Sequence, residues 1–95
     1  MNRVFIAGIV VGQPAFRDRE KRHLIFRICL CHRAAKRIVK REIYTVNAWH
    51  STATWGARNL KQGQYIAIEG YLTQRHLENG ETLVEITAVE FVSNM

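Results

Sequence analysis

The sequence predicts an all-β fold: a small closed barrel of five strands, with one short helix between the third and fourth strands. Three observations carry that expectation. Five stretches alternate apolar and polar residues with the period of two that a half-buried strand requires. One stretch between the third and fourth has helical spacing instead, and 95 residues suffice for one core and one domain, residues 1–95.

The first strand pattern, Arg3 to Val10, places Val4, Ile6, Gly8 and Val10 on one face and Phe5, Ala7 and Ile9 on the other. A strand apolar on both faces is buried twice, so Phe5, Ala7 and Ile9 are the expected contact with a neighbouring element or a second subunit. Gln13-Pro14 is expected to break this strand. Residues 16–23 then read as a charged loop, whose Arg17, Arg19, Lys21 and Arg22 either reach phosphates or pair with Asp18 and Glu20.

From Leu24 to His32, Phe26, Ile28 and Leu30 point inward, and Ile25, Arg27, Cys29 and Cys31 outward. The two cysteines are poorly placed for a mutual bridge on one strand, so free thiols are expected. His32 has the opposite parity and no second cysteine pair exists, which argues against a metal site. Arg33 to Arg41 holds five basic residues and no acid. It reads as a long basic hairpin arm. Unbalanced like charges repel one another unless an anion neutralises them, so Arg33, Lys36, Arg37, Lys40 and Arg41 are expected phosphate ligands.

In the third strand pattern, Glu42 to Trp49, Tyr44, Val46 and Ala48 form the core face and Ile43, Thr45, Asn47 and Trp49 the working face. A tryptophan on the more polar face of a basic chain is a flat platform on which bases could stack. Ser51 is the expected cap of the helix, in which Ala53, Gly56, Ala57 and Leu60 share a face and Trp55 packs against the bottom of the barrel. Gly63 is expected to adopt a left-handed conformation just after it. The fourth pattern, Gln64 to His76, points Ile66, Ile68, Gly70 and Leu72 inward, Gly70 marking a bend or a close backbone approach. Tyr71 and Arg75 point outward, where they extend the platform of Trp49 or, for Tyr71, meet a second subunit. Asn79-Gly80 is a hairpin turn, and the last strand returns from Thr82 to Val92 with Val84, Ile86, Ala88 and Val92 on one side.

Charge narrows the function. The net charge is +6, yet residues 17–41 hold ten Lys or Arg against Asp18 and Glu20, a local balance of +8. Such a patch attracts a polyanion. A membrane surface would call for an amphipathic helix with bulky apolar residues, which the patch lacks, and nucleic acid is the better partner. No apolar run is long enough for a membrane span and the start has no signal-peptide organisation, so a cytoplasmic protein is expected. His23, His32, His50 and His76 lie on separate segments, with no carboxylate pair and no glycine-rich phosphate loop. Catalysis, a cofactor and a metal are therefore not expected.

The order Asn2-Arg3-Val4-Phe5-Ile6-Ala7-Gly8, Pro14 with Arg17, Tyr44 to Trp49, Asn59-Leu60-Lys61-Gln62-Gly63 and Ile68-Glu69-Gly70-Tyr71-Leu72 resembles the bacterial single-stranded DNA-binding (SSB) proteins. The resemblance implies an oligonucleotide-binding (OB) barrel that assembles as a homo-oligomer, dimer or tetramer, and coats single-stranded DNA in replication, repair or recombination. Bases would stack on Trp49 and Tyr71, and phosphates would meet Arg17, Arg27, Arg75 and the basic arm. Ile43 and Leu77 stand where many members carry further aromatics, which implies a shift from stacking toward charge. Members typically add a glycine-rich extension with an acidic tip that recruits repair and replication proteins; these 95 residues hold none. In that respect the chain is similar to the related primosomal replication protein N (PriB), implying the alternative of a replication-restart adaptor that also engages a helicase or its loader.

Overall fold

The computed structural model describes residues 1–34 and 38–93, with backbone only for residues 32–34, 38, 39 and 93. Its elements are β1 (Val4–Phe16), β2 (His23–Ala34), β3 (Ile38–Trp49), α1 (Ser51–Asn59), β4 (Tyr65–His76) and β5 (Thr82–Ser93). The strands close in the order β1-β2-β3-β5-β4, with β4 pairing back onto β1. Every pairing is antiparallel except the short one between β3 and β5, Val46 to Ile86 and Asn47 to Thr87. This is the predicted five-stranded barrel with one helix between its third and fourth strands.

β1 closes the barrel because it is shared. Val4 to Ile9 pair with β4, whereas Ile9 to Val11 and then Ala15-Phe16 pair with β2. The strand therefore does not end at Gln13-Pro14 as its sequence implies. Gly12 takes a positive φ of 77°, the register slips between Val11 and Ala15, and Pro14, which has no N–H to give to a ladder, sits inside that irregularity.

Alternation decides the core. Val10, Leu24, Ile28, Val46, Ile66 and Ile68 are fully buried, and each such side chain gains about 1.5–3 kcal/mol over the exposed state. A one-residue slip would turn all of them outward. Ala53 and Leu60 of the α1 region plug one end, and Trp55, half-buried, stacks on Phe91 with ring centroids 5.1 Å apart, the packing role expected of it. Ala57 is exposed, correcting its assignment to the buried helical face. Ser51 is the first helical residue, not the cap. The cap position belongs to His50, whose φ of 54° turns the chain from strand to helix and whose side chain makes no capping bond. Gly63 is left-handed, at φ 87°, as expected.

The bend in β4 and β5 comes from one close contact. A Cβ on Gly70 would run into the backbone carbonyl of Thr87. Beside it the register jumps from Glu69–Glu90 to Gly70–Ala88, leaving Val89 as an extra residue in β5. The bulge reverses the parity of the residues after it, so Phe91 turns toward the core and Val92, expected inward, is 58% exposed. Leu72 and Val84, also expected inward, are exposed: they stand in the part of the β4–β5 hairpin beyond Gly70, where β4 no longer pairs with β1.

Gly70→Ala is expected to destabilise the fold by about 1–3 kcal/mol, read as a lower midpoint in urea unfolding, because backbone rather than a mobile side chain blocks the added methyl.

Candidate nucleic-acid interface

The outward face of β2 and β3 is assembled pair by pair: His23 with Trp49, Ile25 with Asn47, Arg27 with Thr45, Cys29 with Ile43 and Cys31 with Arg41. The working face expected for β3 is therefore continuous with β2. Trp49 ends its strand 45% exposed, and the next residue is tied down: the His50 N–H donates to the Arg22 carbonyl at 2.8 Å. On one side the indole is covered. The His23 imidazole lies flat against it, ring centroids 3.9 Å apart and planes 5° from parallel.

A row of polar side chains runs from that stack across the barrel. His23 Nε2 lies 2.7 Å from Asn47 Oδ1, Asn47 Nδ2 donates to Glu85 Oε1 at 2.8 Å, and Arg75 Nε donates to Glu85 Oε2 at 3.0 Å. Glu85 and Asn47 are buried, and burial of such groups is tolerable because each is bonded on both sides. Thr73 and Thr87 fill the space beside them, hydroxyl oxygens 3.4 Å apart. Together with Arg17, Trp49, Tyr71 and Gln74 these residues line an open groove of about 340 Å³.

Of the sequence-predicted site residues, the groove brings together Trp49, Tyr71, Arg75 and Arg17. Arg75 is half-exposed, and its charge is already partnered by Glu85. Arg17 is exposed and makes no ion pair among the described residues. Arg27 lies beyond the groove, beside Gly12 and Thr45 along a second open depression. Arg41 and Lys40 are exposed, but adjacent strand residues project to opposite sides, so Arg41 continues the Trp49 face and Lys40 does not. Lys36, Arg37 and the side chain of Arg33 lie outside the described residues. Phe5, Ala7 and Ile9 are exposed on the outer face of β1, away from this groove. Ile43 is 53% exposed on the Trp49 face, an aliphatic surface where a ring would add a platform.

Three participants escape a reading of the sequence. His23 looks like part of a charged loop, although it stands two residues before Ile25 and shares its outward parity. Glu85 and Thr87 sit on the polar parity of β5, but nothing local marks them as partners of Asn47, 38 residues away from Glu85. Cys29 and Cys31 are free thiols, and no group of metal-binding side chains occurs among the described residues.

The loop that presents His23 is held by Asp18, whose carboxylate accepts the backbone N–H groups of His23 at 2.9 Å and Arg22 at 3.0 Å. Those bonds, the one from His23 foremost, hold its pKa below the ordinary 3.8.

The model of the single-strand binding protein family matches residues 1–95. The chain belongs to the single-strand binding protein family. Its fold recurs in solved structures at low identity. A small single-stranded DNA-binding protein from Streptomyces coelicolor is 23% identical with a TM-score of 0.74, over 98% of this chain and 94% of that one. A second, from Mycoplasma pneumoniae, is 20% identical with a TM-score of 0.80, over 98% and 93%. The Plasmodium falciparum SSB, solved with single-stranded DNA, is 13% identical with a TM-score of 0.86, over 100% and 96%. A comparison with curated protein sequences found no match. Among the described residues of this family member, no helix is long and apolar enough to cross a membrane.

Because Asp18 has a depressed pKa, its contribution to the loop is complete above the ordinary carboxylate value and is lost as pH falls through the lower folded-state value. The amide proton shifts of Arg22 and His23 are expected to move together in an NMR titration, with a midpoint below 3.8. Asp18→Asn should abolish the step.

Proposed function

We propose that the protein binds single-stranded DNA without sequence preference, stacking bases on Trp49 and Tyr71 and holding phosphates with Arg17, Arg27, Arg41, Lys40 and the rest of the basic arm. Arg33, Lys36 and Arg37 belong to that arm, and Arg75 is a half-neutralised contributor. The observation that carries the reading is the exposed Trp49 indole, in the lining of an open groove that Tyr71 and Arg17 share. Every base has a π face, so such a platform accepts any sequence, and cations beside it supply the rest of the affinity. Family membership supports the same reading, as does the single-stranded DNA bound to one of the fold neighbours. The protein would act by binding, without catalysis, on DNA exposed in the cytoplasm during replication, repair or recombination, alongside proteins of those pathways.

Oligo-dT is expected to quench the tryptophan fluorescence, with log affinity falling by about 0.7 per neutralised phosphate for each unit of log salt. Trp49→Ala should weaken binding by about tenfold and Trp55→Ala by much less. Wild-type protein that leaves dT oligomers unbound at low salt would overturn the reading.

The proposal includes a homo-oligomer, dimer or tetramer, joined through Phe5, Ala7 and Ile9. Phe5 is 68% exposed and Val92 58% exposed, around a largely apolar depression of about 250 Å³ that Ala7 and Ala67 also line. Contiguous apolar surface of this kind marks an interaction site. Arg3 borders it, paired with Glu69 at 2.6 Å and lying 5.1 Å over the Phe5 ring. Sedimentation should report an oligomer for the wild type and a smaller species for Phe5→Glu, with dT binding per chain weakened but not lost.

A further inference from the structure

The indole of Trp49 has two faces, and the structure leaves only one of them to a ligand. The other carries the imidazole of His23, its direct cross-strand partner, at stacking distance and nearly parallel. Hydrogen-bond direction fixes how that imidazole is held. A carboxylate only accepts, so the Asn47 amide must turn its Nδ2 to Glu85 and its Oδ1 to His23. An amide oxygen also only accepts, so His23 Nε2 carries a proton and donates it at 2.7 Å. Glu85 is in turn bonded to Arg75 on its second oxygen. The imidazole is thus anchored at its edge from β3 and β5, at its face by Trp49, and at its backbone by Asp18.

We propose that His23 is a working part of the base-stacking site: it covers one face of Trp49, holds the indole in place and makes the platform one-sided, so that a nucleobase stacks on the opposite face alone. The inference rests on the single-stranded DNA reading above and adds to it the residue that positions its main platform. A bare indole at a strand end would turn about its χ angles and lose entropy on each binding event; a stacked one is preorganised.

The test separates stacking from mere structural support. A ring lying flat on an indole feels the indole's ring current, so the His23 Hδ2 and Hε1 resonances of the folded wild type should lie upfield of those of His50 and His76. In a Trp55→Phe background Trp49 is the one tryptophan, and its emission anisotropy should fall in His23→Ala, be restored in His23→Phe and stay unchanged in His50→Gln. In dT binding, His23→Ala should lose about fivefold in affinity, and His23→Phe, which keeps a ring on the indole, should recover most of it. Wild-type His23 resonances without that upfield shift would overturn the proposal without any variant of His23 having to fold. So would His23→Ala binding dT as the wild type does, or His23→Phe binding as weakly as His23→Ala. Wild-type protein that shows the upfield shift but ignores dT would instead overturn the DNA reading.

Discussion

The structure turns on the place where β4 and β5 meet at Gly70. The Thr87 carbonyl occupies the volume a side chain would need there, and the extra residue Val89 lets β5 bend across the gap. A small barrel closes only if its strands coil strongly, and a glycine beside a bulge is the local means of coiling. Both ends of the molecule inherit their geometry from this point. On one side of it Phe91 turns in to meet Trp55 and seal the helix against the barrel; on the other, Tyr71, Thr73 and Arg75 come to face Thr87 and Glu85. The groove is built on that second side.

Within the groove, a buried carboxylate shapes the surface. Glu85 would be costly to bury alone, and the cost is offset by an amide donor and a guanidinium donor on its two oxygens. The same bonds orient Asn47, and Asn47 orients His23. Polar residues at this depth add specificity of arrangement more than stability: an apolar replacement could pack as well but would leave the imidazole unanchored. Arg75, a cation in the lining of the groove, is thus chiefly a structural partner.

Much of the fold is legible in the sequence because alternation is a local signal. The parity of Val4 to Val10, Leu24 to Ile28 and Val46 to Ala48 needs no knowledge of the partner strands, and Gly63 and Asn79-Gly80 announce their own turns. Gly70 is legible for the same reason. The features that escape depend on contacts made at a distance. The bulge at Val89 is set by the approach of β4, so the parity of Val92 cannot be read past it. Leu72 and Val84 look like core residues, and only the point at which the hairpin leaves the closed barrel exposes them. In the candidate site, Trp49 is visible as an aromatic on a polar face, whereas His23 needs the register of β2 on β3, and Glu85 needs the parallel contact of β3 with β5.

Charge distribution depends on the same geometry. Arg3 is paired with Glu69, Arg22 lies near Asp18 and Glu20, and Arg75 is paired with Glu85. Exposed pairs of this kind are weak in water and can be exchanged for a phosphate, but the pair at Arg75 has a buried carboxylate and cannot be opened without stranding it. Arg27 and Arg41 are differently placed, on the face that continues from Trp49 along β2 and β3 toward the arm, and Arg17 stands beside Trp49 in the groove itself. A strand that stacked on the open face of Trp49 would therefore meet Arg17 in the groove and further cations toward the arm, against a fixed, half-neutralised one on the β4 side.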